Sequence, residues 1–426
     1  MARLIDMAGR AGAVALAPFG VRSFRFQWPA DMLTSWAFEM ETLILGWYVL
    51  VATESVLMLT VFGSLQFLGT LLSPLFGIAS DRLGRRTTLA AMRTAYTLLA
   101  AVLMTLGLTG LVTPYAAFAV AFFSGLIRPS DLVLRYALIG DTIPGSHLTG
   151  AMGLARATQD SAKIAGALVG TRLFAVMGLG VAYVAVTAFY AAGLLLTLGV
   201  SRHTPGDPGD EDKAGETPVA ARPAPRPSQW RELRDGIAYV RNAPTVLALM
   251  WLAFLVNLTA YPFTMALLPY VAKDIYGTDE TGLGYMAAAV AGGALVGSIV
   301  ATITGARRYS TRVMILNILV WYALLASFAL VETLSLGLPI LAVMGMVQSL
   351  AMISMSTALL REASARFRAR VMGVRMLAVY GLPMGLLAMG QGIEAVGFTA
   401  TVWICALIGA GMTILAAWRW RAAIWV

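Results

Sequence analysis

The feature that most constrains this chain is a series of twelve apolar segments, each long enough to cross a lipid bilayer. A membrane-spanning helix needs about 20 predominantly apolar residues, and a chain inside lipid must satisfy its own backbone hydrogen bonds. We predict transmembrane helices at residues 29–51, 56–79, 87–110, 114–139, 149–177, 181–200, 244–271, 282–304, 311–331, 336–360, 367–393 and 398–418. The expected fold is therefore an all-α membrane protein of twelve helices.

Composition leaves no room for a separate soluble domain and argues against an enzyme. Only 12% of the 426 residues are charged, whereas soluble domains carry about 25%. One cysteine, Cys405, and two histidines, His147 and His203, cannot build a disulfide framework, a metal site or a catalytic cluster. No Gly-rich loop of the nucleotide-binding type occurs, so direct use of ATP is not expected. We expect no enzymatic activity, no cofactor and no metal.

A polar stretch divides the chain into two halves. Residues 201–228 are rich in Pro, Gly, Asp, Glu and Arg and predict a disordered linker. Residues 229–241 place apolar side chains three or four apart, which predicts an amphipathic helix on the membrane surface. The predicted regions are an N-terminal segment (1–28), a six-helix bundle (29–200), the linker with its helix (201–243), a second six-helix bundle (244–418) and a tail (419–426).

Basic residues fall in alternate loops, which predicts the orientation of the chain. In one set of loops, on one side of the membrane, the only basic residue is Lys273. The basic loop set holds Arg82, Arg85, Arg86, Arg307, Arg308, Arg312, Arg361, Arg366, Arg368, Arg370, Arg419 and Arg421. The positive-inside rule then places both termini in the cytoplasm, in a bacterial inner membrane. Because the net charge of +9 is dispersed in this way, it does not indicate a nucleic-acid partner.

A charged hairpin at residues 77–86 separates the second and third predicted helices. It reads Gly-Ile-Ala-Ser-Asp-Arg-Leu-Gly-Arg-Arg, and its glycines permit a tight reversal. Between two membrane helices this sequence resembles the signature loop of the major facilitator superfamily of secondary transporters. The resemblance implies two pseudo-symmetric six-helix bundles that rock about a central cavity, with this loop holding the cytoplasmic side closed. The candidate gating residues are Gly77, Asp81, Arg82, Gly84, Arg85 and Arg86.

Internal similarity and a finer resemblance extend this interpretation. Residues 150–154 and 370–374 are similar to each other about 220 residues apart, as expected of a duplicated transporter fold. Residues 135–144, 163–166 and 368–373 are similar to the drug and siderophore exporter branch, which includes enterobactin and macrolide exporters. That branch usually carries Gly-Pro where this chain has Gly166 and Ala167.

Ionisable residues at membrane depth are concentrated in the first half. Such residues are costly in lipid and mark transport pathways, proton relays or structural pairs. The candidates for proton coupling or substrate binding are Glu39, Glu41, Arg128, Asp131, Asp160 and Lys163. Two alternatives remain open: the charges tie helices together as ion pairs, or they exchange protons for substrate. In the second alternative we favour Asp131 and Glu39 as the acids that exchange protons. Arg128 would pair with an acid or with an anionic group of the substrate.

Spacing along each helix predicts how these groups pair. Arg128 and Asp131 lie three residues apart, as do Asp160 and Lys163, so each pair shares a helix face. Glu39 and Glu41 point about 200° apart, so they cannot both face the cavity, and one should meet a partner such as Lys163 or Arg128. Arg93, near the cytoplasmic end of helix 3, is predicted to snorkel.

The second half offers neutral polar side chains instead. Its candidate cavity-lining residues are Asn257, Gln348, Met352 and Met355, of which the methionines can adapt to bulky apolar ligands. Glycines four apart, including Gly293 and Gly297, predict close helix packing.

These observations predict a proton-coupled secondary transporter that works by alternating access. The partners are a small-molecule substrate, protons and the lipid bilayer, and the protein is expected to be a monomer. The first hypothesis is an exporter, by antiport, of an amphipathic drug-like compound or siderophore. The alternative is an importer, by symport, of an organic anion or metal chelate. A third possibility is a membrane receptor or scaffold that has lost transport; the intramembrane charges argue against it.

Overall fold

The computed structural model describes residues 17–70, 76, 79–80, 82–201, 234, 238–304, 311–362, 371, 374–375 and 377–421. Across these residues the chain is helical and contains no β-strand. We number its principal helices α1–α12. The predicted linker and nearly all of its amphipathic helix lie outside the described residues.

The first half contains six helices that run alternately up and down. Their bounds are α1 Arg22–Thr53, α2 Val56–Leu65, α3 Arg85–Leu108, α4 Pro114–Thr142, and α5 and α6 within the helical stretch Gly145–Thr197. Gly178 separates α5 from α6, because its φ of 76° and ψ of 175° lie outside the helical region. Polar caps define other starts: Ser55 caps α2, and Thr113 caps α4 with Pro114 in the first helical position.

The second half repeats this arrangement. Its helices are α7 Pro244–Thr259, α8 Glu280–Thr304, α9 Thr311–Phe328, α10 Leu334–Glu362, α11 Gly381–Val396 and α12 Phe398–Arg419. After α7 the chain continues through short turns at Tyr261–Met265 and Leu268–Tyr270 and a π-helical turn at Val271–Ile275. Gly397, with a φ of 84°, makes the tight reversal between α11 and α12.

The helix positions agree with the sequence prediction, but three predicted spans are interrupted, one of them 367–393, where a turn at 379–380 precedes α11. The span predicted over 56–79 ends as an α-helix at Leu65 and is followed by a 3₁₀ turn, and the span predicted over 244–271 ends at Thr259. Over the described residues, seven helical stretches are both long and apolar enough to cross a membrane, one of them comprising α5 and α6. Helix α1 is not one of the seven, since its length includes Asp31, Glu39 and Glu41.

Each half has its own apolar core, and two helix pairs make the largest contacts between the halves. One cluster of buried side chains lies in the first half and a larger one in the second. Helix α2 packs against α11, and α5 packs against α8. A Cβ at Gly284 of α8 would come within 2.1 Å of the Thr171 hydroxyl on α5, so the second contact is very close. Helix α1 also contacts the second half, where a Cβ at Gly46 would lie 3.5 Å from Pro269.

Candidate functional site

The end of α2 brings its backbone to α4 in the middle of the first half. The α-helix stops at Leu65, and the residues that follow lie against the α4 backbone at Gly125 and Leu126. A Cβ at Gly69 would lie only 2.1 Å from the Leu126 carbonyl oxygen, and one at Gly125 only 2.1 Å from that of Leu65. Irregular backbone at membrane depth is tolerated where it is covered by protein or lines a cavity. The break positions the side chain of Gln66 towards α4.

Arg128 on α4 is the centre of this site. Its guanidinium donates hydrogen bonds to the Thr42 hydroxyl (3.0 Å) and to the side-chain amide oxygen Oε1 of Gln66 (2.9 Å). It also lies 4.6 Å from the centroid of the Phe38 ring. The nearest carboxylate, Glu39, is 3.9 Å away. Arg128 is therefore held mainly by neutral groups, with a loosely placed acid.

The two glutamates of α1 diverge, as their spacing predicted. Glu39 is partly exposed, with 27% of its side chain accessible. Glu41 is buried and accepts a hydrogen bond of 2.6 Å from the hydroxyl of Tyr190 on α6. Its hydrogen-bond partner is thus a tyrosine, whereas Glu39 is the glutamate that lies beside Arg128, one of the two expected partners. A small cavity nevertheless places Glu41 beside Arg128; its lining is completed by Phe38, Thr42, Leu45, Phe62, Gln66, Ala121, Ser124 and Gly125.

A second charge cluster lies about 15 Å further along α1, taking 1.5 Å per residue from Glu41 to Asp31. Asp31 accepts hydrogen bonds from Arg93 of α3 and lies 3.8 Å from Arg135 of α4. Arg135 forms an ion pair of 2.5 Å with Asp131 one turn away. Arg93 also donates to the Thr197 hydroxyl on α6. All four charged groups are buried, so two acids and two bases neutralise one another across three helices, α1, α3 and α4.

An aromatic layer separates the two clusters. Phe38 packs edge-on against Tyr96 (4.8 Å between ring centroids) and Tyr190 (5.6 Å), and these tyrosines stack on each other. Arg135 approaches Phe38 from the other cluster at 5.8 Å. The rings reduce direct access between the charges around Asp31 and the cavity around Arg128.

The predicted pairs three residues apart are not formed. Asp131 pairs with Arg135 instead of Arg128, and Asp160 pairs with Arg156 at 3.3 Å instead of Lys163. Both observed pairs are four apart, where side chains diverge by about 40° instead of about 60°. Lys163 has no ion-pair partner among the residues that the structure describes.

The prediction that Arg93 snorkels is wrong. Its side chain is only 1% exposed because it reaches inward to Asp31.

Among its described residues, the second half provides polar and apolar surface without a buried charge. Asn257 donates to the carbonyl oxygen of its own helix at Ala253 (2.8 Å). Gln348 is buried, and its side-chain amide oxygen has no hydrogen-bond partner within the described structure. Met352 is partly buried, whereas Met355 is completely enclosed in the core of this half. Met355 therefore does not line a cavity between the halves in this structure.

The signature loop contacts its own half. Gly77 and Asp81 lie outside the described residues, and Arg82 is exposed. Arg85 pairs with Asp141 at the end of α4, and Arg86 donates to the Leu198 carbonyl oxygen after α6. Gly84 has a φ of 84°, a backbone conformation that favours glycine. The two arginines thus attach the loop to α4 and α6.

Sequence reasoning missed several residues of these clusters. Gln66 had a signal, since it is a polar residue with glycines on both sides in an apolar span. Asp31 and Arg135 were visible as ionisable residues near predicted helix ends, where they were not singled out. The remaining missed residues are Thr42, Arg93 as an ion-pair partner, and Tyr190. Within the described chain no group of three or more His, Cys, Asp or Glu residues could hold a metal ion.

Comparisons with known proteins identify the family. Among curated protein sequences none matches this chain. Three similar solved structures are the nucleoside transporter NupG as its D323A mutant (18% identity, 94% of this chain and 99% of that one, TM-score 0.67), a bacterial homolog of the human lysosomal transporter Spinster (13%, 95% and 98%, 0.70) and the POT family transporter PepTSo (15%, 94% and 98%, 0.69). At these identities the likeness shows the fold. The sequence profile of the Major Facilitator Superfamily matches residues 13–388, and the chain therefore belongs to this superfamily of transporters.

Proposed function

We propose that this chain is a proton-coupled secondary transporter in which Glu41 and Glu39 exchange protons beside Arg128. The observation that carries the proposal is the placement of Arg128. Its guanidinium is held by the neutral acceptors Thr42 and Gln66, and its nearest carboxylate is 3.9 Å away. A cation held in this way can exchange its acceptors for a substrate group without first breaking a tight ion pair.

The two glutamates have complementary positions. Glu41 is buried and bonded to Tyr190, while Glu39 is partly exposed. With both ionised, the site has one more negative charge than Arg128 can balance, and this excess is costly at membrane depth. Binding one proton removes it. A substrate group on Arg128 changes the charge balance that the glutamates experience, so substrate binding and proton binding are coupled through Arg128.

Gln66 and Thr42 position Arg128 in this mechanism. Both accept hydrogen bonds from the same guanidinium nitrogen, and Thr42 also donates to Gln66 at 3.3 Å. They hold the side chain across the cavity between α1 and α2, where a substrate can replace either acceptor.

We assign Asp131 and Asp160 structural positions. Asp131 is 1% exposed and paired at 2.5 Å with Arg135, so a proton on Asp131 would leave Arg135 partly uncompensated. Asp160 pairs with Arg156 near the surface. This supports ion pairing for both acids and moves proton coupling to Glu39 and Glu41, with Lys163 as a further cation near α1.

The proposed direction is export, by antiport, of an amphipathic drug-like compound or siderophore across a bacterial inner membrane. In the second half the partly buried side chains of Met352 and Tyr261 offer apolar surface, and Tyr261 packs edge-on at 5.0 Å against Trp321, which is enclosed in the core. Import of an organic anion or metal chelate is the alternative, favoured by the 28% exposure of the Arg128 side chain. We further propose that the protein functions as a monomer with both termini in the cytoplasm.

Proteoliposomes with a pH-sensitive dye inside test the coupling. A catecholate siderophore, a cationic dye and a dicarboxylate would be added in turn to liposomes containing the full-length protein. We expect one of them to move protons, and Glu41→Gln to abolish that signal while exchange of labelled substrate across the membrane continues. Glu54→Gln, at an exposed position between α1 and α2, is the matched control.

The sign of proton movement relative to substrate flux separates antiport from symport. Unchanged proton movement in both Glu41→Gln and Glu39→Gln would contradict the proposed coupling.

A further inference from the structure

The first turn of α2 is capped by residues from both halves. Ser55 is its N-cap and accepts a hydrogen bond from the Met58 N–H at 3.3 Å. The Ser55 hydroxyl donates at 2.9 Å to Glu394 of α11, and the Leu57 N–H points at the same carboxylate oxygen at 3.4 Å. The first N–H groups of a helix have no partner within the helix. Glu394 therefore completes the cap from 339 residues away in the sequence.

A carboxylate is well suited to this position. Helix N-termini favour negative charge, because the peptide dipoles give this end a partial positive charge and its free N–H groups can donate to an anion. Hydrogen bonds to an ionised acceptor are also stronger than those between neutral groups. Glu394 is exposed, so it reaches this helix end without the cost of burying a charge.

The cap is one end of a continuous contact between the halves. The Ser64 hydroxyl donates to the Pro383 carbonyl oxygen at 3.2 Å. Between the two hydrogen-bonded ends, a Cβ at Gly390 would meet the Thr60 hydroxyl at 2.1 Å. Helices α2 and α11 therefore run antiparallel in close contact from Glu394 to Pro383.

Val56, the first residue of α2, shows that this end of the interface excludes solvent. It is 5% exposed and belongs to the apolar core of the second half, although it lies in the first half of the chain. Separation of the halves at this end would expose Val56 and leave the Leu57 N–H to water.

We propose that Glu394 is a latch that holds the halves together at the end of the bundle where α1 leads into α2. Loop charges place this end outside the cell, so the latch favours the outward-closed conformation. The proposal rests on transport by alternating access, because it concerns how one of the two openings is kept shut. Releasing Glu394 from Ser55 and Leu57 removes the cap from α2 and makes opening easier.

The test measures how often the interface opens. A cysteine at Val56, in a Cys405→Ala background, is labelled in lipid nanodiscs with a membrane-impermeant maleimide. Because the thiol is enclosed when the halves are together, the labelling rate reports the open fraction. We expect Glu394→Ala to raise the rate roughly fivefold, as loss of an exposed helix cap implies. Glu394→Gln keeps an acceptor without the charge and should raise it less.

Glu54→Ala is the matched control. This residue is exposed beside Ser55, and its carboxylate has no hydrogen-bond partner among the described residues. Equal labelling rates in the parent and Glu394→Ala would overturn the latch, as would an equal rise in Glu54→Ala. Since the labelling needs no substrate, it is independent of the proton assay. A latch without proton coupling, or coupling without a latch, would be recognised as such.

Discussion

The two halves of this transporter have the same arrangement of six helices but are stabilised differently. Within the described chain, every buried charged side chain lies in the first half: Asp31, Glu41, Arg93, Asp131 and Arg135. Helices α7–α12 carry charged residues only in their first or last turns. The described helices of the second half are held by uncharged contacts, among them the close approach of Gly293 of α8 to Ala342 of α10; close glycine contacts occur in the first half as well, at Gly69 and Gly125.

This difference indicates a division of roles. A charge network fixes helix positions by specific partners, and a loosely held arginine beside it can respond to protons and ligands. A half whose described helices hold no buried charge can change shape without breaking ion pairs, and its methionines can adapt to different ligands. We therefore infer that coupling belongs to the first half, and adaptation to the shape of the substrate to the second.

The largest expected effect follows from breaking the charge network. Arg135→Leu leaves Asp131 without its partner and Asp31 with only Arg93, and removing one member of a buried ion pair costs about 3–5 kcal/mol. We expect a large fall in the thermal unfolding midpoint in detergent. Asn317→Leu in α9 is the control from the other half, because Asn317 donates only to its own helix at Val313. Similar midpoints for the two variants would contradict the comparison.

Loss of Arg128 should abolish coupled transport while leaving the fold intact. Arg128→Gln removes a cation that makes two hydrogen bonds and one aromatic contact, which implies a fall of about 100-fold in substrate-driven proton flux. Gln348→Leu in the second half should change the preference among substrates but leave the ratio of protons to substrate unchanged. A changed ratio in Gln348→Leu would show that coupling is shared between the halves.

Close packing in the second half can be tested with two adjacent glycines. A Cβ at Gly293 would lie 1.8 Å from the Ala342 carbonyl oxygen, whereas a Cβ at Gly292 would have no atom within 4 Å. Gly293→Ala should therefore destabilise the protein by about 1–2 kcal/mol through forced separation of α8 and α10. Gly292→Ala should leave the unfolding midpoint unchanged or slightly raised. Equal midpoints would mean that α8 and α10 can separate without cost.

The smallest expected effect on stability comes from the N-terminal cap of α8, which is formed within the second half alone. Asp279 accepts a hydrogen bond of 3.0 Å from the Gly282 N–H, which holds the pKa of its carboxyl below the usual range. We expect Asp279→Ala to cost about 1 kcal/mol or less at pH 7. Because the folded-state pKa is lowered, this stabilisation is present above the unfolded value of about 3.9 and is lost as pH falls through the folded pKa.

Unfolding midpoints of the parent and Asp279→Ala should therefore converge below about pH 4. A gap that persists in acid would show that the cap does not depend on the ionised carboxylate. In contrast to this local cap, the start of α2 depends on Glu394 of the other half.

Most of the architecture could be predicted from the sequence. The apolar segments located the helices, since length and hydropathy decide which segments enter lipid. The same pattern could not show that α2 ends at Leu65, because the residues beyond the break are as apolar as those before it. That break depends on the close approach of Gly69 and Gly125, which are on different helices.

The sequence predicted which charged residues belong to the site more successfully than it predicted their interaction partners. Glu39, Glu41 and Arg128 were singled out, and the structure brings them to one region. The two predicted pairs within a helix were wrong because we chose the basic residue three positions away from each acid, whereas the structure pairs the acid with the one four positions away. Contacts between different helices could not be predicted from spacing. Asp31 is an example: its two bases come from α3 and α4.

From the sequence alone we could predict which segments are long and apolar enough to enter the membrane, where the chain should divide and which half carries charge at membrane depth. These properties depend on local composition, because each segment must by itself be apolar enough for the bilayer and satisfy its own backbone hydrogen bonds there. Only the tertiary structure decided which acid meets which base, how Gln66 reaches Arg128 and that Glu394 caps α2. Such contacts depend on the rotation and depth of each helix relative to its neighbours, which packing across the whole bundle sets.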